Sequence, residues 1–551
     1  MTSDRKTSNP KTRDAKTSDS DSTGKGETHK EAGFAAPSRR VRATVIHICG
    51  LALLAIAPGL LVSAIVEFIG GGDAGWVLVV SAAIFALLGG VMWQSTQLGD
   101  LGIRTVFASV AWSWLLVSVL GSLPFILART FQREGVGRWV ELADAVFESV
   151  SGYTCTGSTV LTVLPDLNDP NPQVGRGVLF YRQLTQWYGG MGFVQLIVTV
   201  LPALGSKALG FMGAEAPGPT SDRLAPRAAD TAKILWKLYV GGTILIALAF
   251  TAAGMNLYDG FTHALTTAAT GGFSTYNDSL GEFDSIPIEI VAQVAMLFGG
   301  TNWALHYLFI TKSRKVYNQD HEFRAYIAIF AIGTIAVTAL LTTGGEVASF
   351  GNALRVGSFN VASLLSSTGF GNAQGAATPG DFVLWSATPL VILMLLMVVG
   401  GMSGSTAGGV KVIRARVLSA ISHRTLAVAR QPHAVVPVKL GRDVVTERVV
   451  HQVSLFMMVY AGLVVGGFLA VSALGGGAEA SISAVIGSLG NMGPAFGDAG
   501  PTSTFLGFST PARVLLAFLM LIGRLELFAV LLMFAAPRRA LRRLRPHKRV
   551  S

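Results

Sequence analysis

Ten long apolar segments dominate this sequence, and each approaches or exceeds the ~20 residues that a helix needs to cross the hydrocarbon core of a bilayer. Charged side chains make up only 14% of the 551 residues, whereas they make up about 25% of an average soluble domain. The sequence therefore predicts an all-α membrane protein. The predicted spans are residues 43–68, 75–94, 105–127, 174–201, 234–253, 286–310, 323–343, 383–416, 448–473 and 511–536.

The basic residues predict how these helices are oriented. A net charge of +11 would also suit a nucleic-acid surface, but Lys and Arg concentrate in alternate loops, as the positive-inside rule requires. Loops 202–233, 311–322 and 417–447 are basic, whereas segments 254–285 and 474–510 contain no Lys or Arg. We therefore predict ten crossings, both termini in the cytoplasm and no nucleic-acid partner. The weakest part of the pattern is the outer segment 128–173, which carries Arg129, Arg133 and Arg138.

Two polar tails flank the apolar part of the chain. Residues 1–42 carry ten Lys or Arg and few large apolar side chains, so they cannot bury a core and are predicted to be disordered. They lack the apolar stretch and cleavage site of a signal peptide. Residues 537–551 form a second basic tail. Both tails are predicted to be cytoplasmic.

Four shorter apolar stretches, each between two long ones, predict half-helices. At ~12 to 15 residues they would be roughly 20 Å long, too short to cross the membrane. Each would enter from outside and return as a loop, which gives four helix–pore-helix–loop–helix repeats after an extra helix pair at 43–94. Parallel repeats share an axis along the membrane normal, so four of them can surround a central ion pore. The half-helices are predicted at 141–153, 258–269, 352–366 and 478–489, within repeats 105–201, 234–310, 323–416 and 448–536.

The loops that follow the half-helices predict an ion-selectivity filter. Non-helical backbone persists at membrane depth only where it lines water or is buried in protein, and glycine lets the chain turn its carbonyl groups in one direction. Rings of carbonyl oxygens can replace the hydration shell of a monovalent cation, and these five-residue loops contain no Asp or Glu that would indicate a calcium site. One Thr-Gly pair would be an ordinary turn, but four loops at equivalent places favour a filter. The predicted filter residues are Thr156, Gly157, Thr270, Gly271, Thr368, Gly369, Asn491, Met492 and Gly493.

A glycine-rich stretch interrupts the long apolar run of the third repeat. Five of the ten residues 400–409 are glycine, and each glycine costs a helix roughly 1 kcal/mol relative to alanine. We predict a break near mid-membrane; the alternative is a helix-packing face of small residues. A phosphate-binding loop is excluded, because Lys411 comes one place late and no Ser or Thr follows it.

Arg524 lies inside the apolar run 515–534. A charge at that depth costs about 2.5–3.5 kcal/mol, so it should face the pore or a partner. One hypothesis is that it tunes cation passage and contacts the glycine-rich stretch. The alternative is that Arg524 forms a structural pair with a carboxylate. That carboxylate would come from another helix, because Glu526, two residues on, faces a different side of the same helix.

Several motifs resemble those of the TrkH family in the Trk/Ktr/HKT superfamily of potassium transporters. The resemblance covers about residues 43–537 and implies potassium uptake through a bacterial cell membrane. A serine at the first filter glycine accompanies sodium permeation in the superfamily, whereas Gly157, Gly271, Gly369 and Gly493 are all glycine here. The resemblance also implies that Arg524 lies beside the pore and that a gate loop lies beneath the filter. The motifs are 186–192, 269–275, 367–373, 400–411 and 523–526, and the implied gate residues are Gly400, Gly401, Ser403, Gly404, Ser405, Thr406, Gly408 and Gly409.

The same resemblance implies partners. It predicts a homodimer in membrane lipid that works with a cytoplasmic, nucleotide-binding subunit of the TrkA type, with the basic segment 411–448 as a docking surface. The chain itself would bind no cofactor and would carry K⁺ as its transported ion. A sodium-coupled or sodium-permeable transporter of the Ktr/HKT type is the alternative. An enzyme is disfavoured, because the apolar helices show no convergent nucleophile, base or metal ligands.

Overall fold

The computed structural model describes residues 39–99, 103–162, 164, 174–203, 228–441 and 443–526. These residues are mostly helical, and the strands among them are Lys439–Leu440 and Asp443–Val444, which pair as one antiparallel hairpin. Most of the two predicted tails, the end of the last predicted span and the basic residues Lys207, Arg223 and Arg227 lie outside the described residues.

The first two helices, Arg39–Ile69 and Gly75–Gln94, form a tightly packed pair. A methyl group on Gly50 would lie 2.8 Å from the carbonyl oxygen of Gly89, and one on Gly89 would lie 2.8 Å from that of Gly50. Two glycines therefore allow the two backbones to approach closely, as small residues do between membrane helices. The first helix also packs against two helices of the unit that follows.

Four helical units follow this pair, and each has an outer, a pore and an inner helix. The pore helix packs against both other helices of its unit. The units are Ile103–Leu120, Arg138–Tyr153 and Arg176–Ala203; Ala228–Ala252, Leu257–Ala268 and Ile286–Gly299; His321–Thr343, Phe350–Leu365 and Ala387–Val399; and Glu447–Ala473, Ala478–Gly490 and Thr510–Arg524. Short helices at Leu123–Leu127 and Val316–Gln319 lie in the connections.

The four units form a closed ring. The inner helix of the first unit packs against the pore helix of the second, the second inner helix against the third pore helix, and the third inner helix against the fourth pore helix. The last inner helix, Thr510–Arg524, packs against the first pore helix, Arg138–Tyr153. The pore helices therefore occupy the centre of the molecule.

Burial explains why these short apolar helices do not face lipid. Every residue is buried in the second half of each pore helix, over 147–153, 262–268, 359–365 and 483–490. A helix that is buried on all sides needs neighbours all round, which the ring supplies. Side chains also cap some of their first turns: Asn256 accepts a hydrogen bond from the backbone N–H of Asp259 at 2.9 Å.

The membrane spans differ in part from the predicted set of ten. Among the described residues, six helices are long and apolar enough to cross a membrane, or seven if one bent pair counts as a span. The prediction of a single helix over 286–310 is wrong. This segment forms two helices, Ile286–Gly299 and Trp303–Thr311, which meet at 96°. The break follows from two glycines, 299 and 300, and from Asn302, whose side chain caps the second helix at Ala304.

The predicted interruption of the third repeat is present. The inner helix ends at Val399, and the next helix, Val412–Arg430, begins after a loop of glycine-rich backbone. The small-residue packing face that was the alternative requires a continuous helix, and none is present here. The loop and the bend at 300–302 lie against each other: Met402 N–H donates to Gly300 O at 2.9 Å, and Trp303 N–H donates to Gly404 O at 3.2 Å.

Candidate ion pathway

All four pore helices end in the same kind of turn. A residue in the left-handed region follows each helix: Cys155 (φ 55°), Thr270 (φ 51°), Ser367 (φ 55°) and Asn491 (φ 51°). Non-glycine residues seldom adopt this conformation, so its repetition marks the four turns as equivalent. The next residue in each turn donates its N–H to the carbonyl oxygen five residues back, as in a Schellman turn. These bonds are Thr156 to Ser151 (2.9 Å), Gly271 to Thr266 (2.9 Å), Thr368 to Ser363 (3.0 Å) and Met492 to Gly487 (2.8 Å).

This geometry corrects the register of the second loop. Gly157 (φ 88°) and Gly369 (φ 87°) come two places after the left-handed residue, and in the second loop that place belongs to Gly272 (φ 78°). The predicted equivalence of Gly271 with Gly157, Gly369 and Gly493 is therefore wrong by one residue. Gly271 occupies the place of Thr156, Thr368 and Met492 instead. The Thr-Gly pattern misled because this loop has two glycines in succession.

The four glycine turns meet one another in cyclic order. A methyl group on Gly157 would overlap the carbonyl oxygen of Gly271, and one on Gly272 would overlap that of Thr368. The ring continues from the third loop to the fourth and back to the first. A methyl group on Gly369 would lie 3.0 Å from the backbone N of Gly493, and one on Gly493 would lie 2.9 Å from the carbonyl carbon of Gly157.

A side-chain hydrogen bond closes the ring between its two ends. Ser158 Oγ donates to the carbonyl oxygen of Gly493 at 2.9 Å, although the two residues are 335 positions apart in the chain. Asn491 adds a second link, because its Nδ2 donates to Thr156 Oγ1 at 3.2 Å and to Met520 O at 2.9 Å. Two side-chain hydrogen bonds therefore join the first loop to the fourth.

Gln186 braces the second loop from the first inner helix. Its Nε2 donates to Gly271 O at 2.7 Å, and its Oε1 accepts the N–H of Phe273 at 3.1 Å. Gln186 is fully buried, and both ends of its amide are used. No role was predicted for Gln186 from the sequence, although an amide inside an apolar helix is a usable signal, because burying it is costly unless it is hydrogen-bonded.

A buried ion pair supports the first two glycine turns from outside. Arg182 Nε lies 2.7 Å from Glu148 Oε1, and the two side chains are 2% and 0% exposed. Glu148 also accepts the hydroxyl of Thr159 and the N–H of Val160, in the chain beyond the first filter glycine. Arg182 Nη1 donates to the carbonyl oxygen of Ser274 at 2.8 Å, and Ser274 lies just beyond the glycine turn of the second loop. The Arg182–Glu148 pair therefore ties the first loop to the second, and no pattern in the sequence indicated it.

The glycine-rich loop at 400–411 closes on itself at its base. The N–H groups of Val410 and Lys411 donate to the carbonyls of Val398 and Val399, each at 2.9 Å. Gly400, Gly404 and Gly409 have φ of 70°, 75° and 81°, a conformation that favours glycine. The glycines therefore let the chain leave the helix, turn and return within a few residues.

The top of this loop lies against the ends of three pore helices. Thr406 Oγ1 is 3.1 Å from Ala268 O at the end of the second, and Gly408 N–H donates to Ser367 Oγ of the third at 2.6 Å. A methyl group on Gly408 would overlap the carbonyl oxygen of Gly490, which ends the fourth. The loop consequently lies beneath the glycine turns.

Arg524 joins the last inner helix to this loop. Its Nη1 donates to Thr406 O at 2.8 Å, and its Nη2 donates to Gly189 O at 2.8 Å. Glu526 forms a salt bridge with Arg414, with 2.9 Å between its Oε2 and the Arg414 Nη2. The guanidinium is buried among carbonyl oxygens, where such charge-assisted bonds are strong.

These features define a multi-pass membrane protein whose helices surround a ring of glycine turns. A family model described as TrkH, a cation transport protein, matches residues 76–543. This chain belongs to the TrkH family of cation transport proteins.

Similar proteins cover almost the whole chain. It is 33% identical to the Trk system potassium uptake protein TrkH of Escherichia coli (strain K12) over 494 residues, which are 89% of this chain and 98% of that protein. The corresponding TrkH of Vibrio parahaemolyticus is 34% identical over 496 residues. The crystal structure of the potassium transporter TrkH from Vibrio parahaemolyticus matches with a TM-score of 0.78 at 33% identity, covering 90% of this chain and 99% of that one.

Proposed function

We propose that this chain is the pore-forming subunit of a Trk-type potassium uptake system. The cyclic contact of the four glycine turns carries this proposal, because it brings backbone from all four units to one axis. Family membership and the names of the similar proteins support it. Glycine at all four equivalent positions, with Gly272 in the second loop, disfavours the sodium-permeable alternative.

The filter works through backbone carbonyl oxygens that replace the hydration shell of K⁺. The pore helices direct their C-terminal ends, which carry partial negative charge, towards the space below, and this favours a cation there. The proposed filter residues are those of the four turns, with Gly272 added: Thr156, Gly157, Thr270, Gly271, Gly272, Thr368, Gly369, Asn491, Met492 and Gly493.

The loop at 400–411 acts as the gate beneath this filter. Its contacts with three pore helices support a position across the ion path, where ions pass only when the loop moves aside. Arg524 holds the loop through Thr406 O and adds a positive charge that slows cations.

The assembly is a homodimer in a bacterial cell membrane, with both termini in the cytoplasm. A TrkA-type nucleotide-binding subunit docks on the basic segment 411–448. Arg416, His423, Arg424 and Lys439 of this segment line one surface depression of about 490 Å³, which supports a docking role for an acidic partner.

Growth of a potassium-uptake-deficient bacterium at low potassium tests the proposal. The wild-type chain, expressed with its regulatory subunit, should restore growth. Gly157→Ser and Gly369→Ser should lose rescue or admit sodium, because each places a side chain on left-handed backbone inside the ring. Failure of the wild type, with the protein present in the membrane, would contradict the proposed function.

Arg524→Ala should raise potassium flux or weaken selectivity against sodium. Each charge-assisted hydrogen bond to Thr406 and Gly189 contributes about 1.5 to 3 kcal/mol, so their loss should free the gate. Flux assays in proteoliposomes would measure this, with Arg524→Lys as the variant that keeps the charge. Unchanged flux in a less stable protein would instead assign Arg524 a structural role.

A further inference from the structure

We propose that Glu322 is a positioning residue that holds the 400–411 loop in its closed arrangement, an inference that rests on the proposed gating role of that loop. Glu322 lies in the first turn of the third outer helix, His321–Thr343. A single carboxylate oxygen, Oε1, accepts the N–H of Ser403 at 2.7 Å and the N–H of Ile413 at 3.1 Å. These two donors lie on opposite sides of the loop.

The second donor gives this contact a clear electrostatic basis. Ile413 is in the first turn of the helix Val412–Arg430, whose N-cap residue, Lys411, forms no side-chain cap. The first N–H groups of a helix have no partner within it, and a carboxylate is stabilised by their partial positive charge. Glu322 supplies from another helix the cap that the local sequence does not.

The first donor makes the cap specific to one arrangement of the loop. Ser403 belongs to the arm that leaves the third inner helix, and Ile413 to the helix that follows the return arm. One oxygen can accept both N–H groups only while these two arms stay side by side. A loop that moves off the axis must give up at least one of the bonds, so Glu322 stabilises only the closed state.

A further contact links Glu322 to the surface of the protein. The imidazole of His321, its neighbour in the chain, lies directly against Gly441, in the turn of the hairpin formed by Lys439–Leu440 and Asp443–Val444. A partner that moves this hairpin would therefore displace the start of the helix that carries Glu322. We call the contacts of Glu322 with Ser403 and Ile413 the clasp. The clasp is placed so that a partner binding at the hairpin could loosen the 400–411 loop.

Potassium or rubidium flux into proteoliposomes, without any regulatory subunit, tests the clasp. Glu322→Gln keeps the size of the side chain but removes the charge. It should raise this basal flux roughly tenfold, which corresponds to a loss of about 1.4 kcal/mol in the stability of the closed loop. Glu322→Asp keeps the charge on a shorter side chain and should give an intermediate increase. Selectivity for potassium over sodium should stay unchanged, because the filter turns are untouched.

Asp320→Asn is the matched control. Asp320 caps the same helix through the N–H of Phe323 at 2.7 Å but forms no hydrogen bond to the loop among the described residues, and asparagine caps equally well. Its basal flux should match that of the wild type. Basal flux that stays the same or falls in folded Glu322→Gln and Glu322→Asp would overturn the proposal.

Hydrogen–deuterium exchange gives a readout that does not depend on transport. In Glu322→Gln, the amides of residues 402–414 should exchange faster than in the wild type, whereas those of the pore helices should not change. Equal exchange in this segment would overturn the clasp even if the protein transports potassium. A wild-type protein that carries no potassium, but whose loop loosens in Glu322→Gln, would contradict the proposed function and leave the clasp supported.

Discussion

Gly272→Ala is expected to abolish potassium uptake almost completely. Gly272 has φ of 78°, and alanine in left-handed backbone costs about 1 to 2 kcal/mol. The added methyl would overlap Thr368 O of the next loop, and overpacking costs a further 1 to 3 kcal/mol or so. The backbone strain and the steric overlap can be relieved only by moving the carbonyl oxygens of the ring, so potassium flux should fall on the order of 100-fold. Rubidium uptake in proteoliposomes measures this directly.

Two glycine variants make this experiment specific. In Gly271→Ala the methyl would press on the Gln186 amide that braces this loop, but Gly271 is not in left-handed backbone, so uptake should fall less than in Gly272→Ala. Gly462→Ala, in the outer helix Glu447–Ala473, meets nothing within 4 Å and should transport like the wild type. A larger loss in Gly271→Ala than in Gly272→Ala would contradict the register assigned to the second loop.

Arg182→Met is expected to lower the free energy of unfolding by about 3 to 5 kcal/mol, because it leaves Glu148 buried without its cation. The methionine fills similar space, so the loss comes mainly from the charge and from the bond to Ser274 O. Chemical unfolding in detergent, followed by intrinsic fluorescence, would measure the change.

An exposed ion pair provides the comparison. Arg424 and Glu447 are 34% and 60% exposed, and pairs of that kind contribute at most about 1 kcal/mol, so Arg424→Met should change stability little. The double variant Arg182→Met with Glu148→Gln should be less destabilised than the sum of its single variants, since it leaves no charge unpaired whereas each single variant does. Strict additivity would show that the two side chains act independently.

Features that depend on local pattern could be predicted from the sequence. The half-helices followed from their length, and the loop at 400–411 followed from the cost of five glycines in one helix. The glycine turns after the half-helices were located to within one residue. In the second loop, Thr270-Gly271-Gly272 offers two glycines, and only the backbone conformation decides between them.

Features that depend on distant partners could not be predicted. Gln186 and Arg182 contact loop residues 85 and 92 positions away, and Glu322 contacts Ser403 across 81 positions. Nothing in a single sequence pairs such residues. The bend at 300–302 is different, because two glycines followed by a capping asparagine were visible signals that the apolar pattern of 286–310 obscured.

The bond between Ser158 and Gly493 has a consequence for biosynthesis. The ring of glycine turns needs a turn from the last unit, so the ring cannot close until nearly all of the chain has been made. A nascent or truncated polypeptide that lacks the fourth unit would lack the turn that Ser158 contacts, and its ring of turns would stay open.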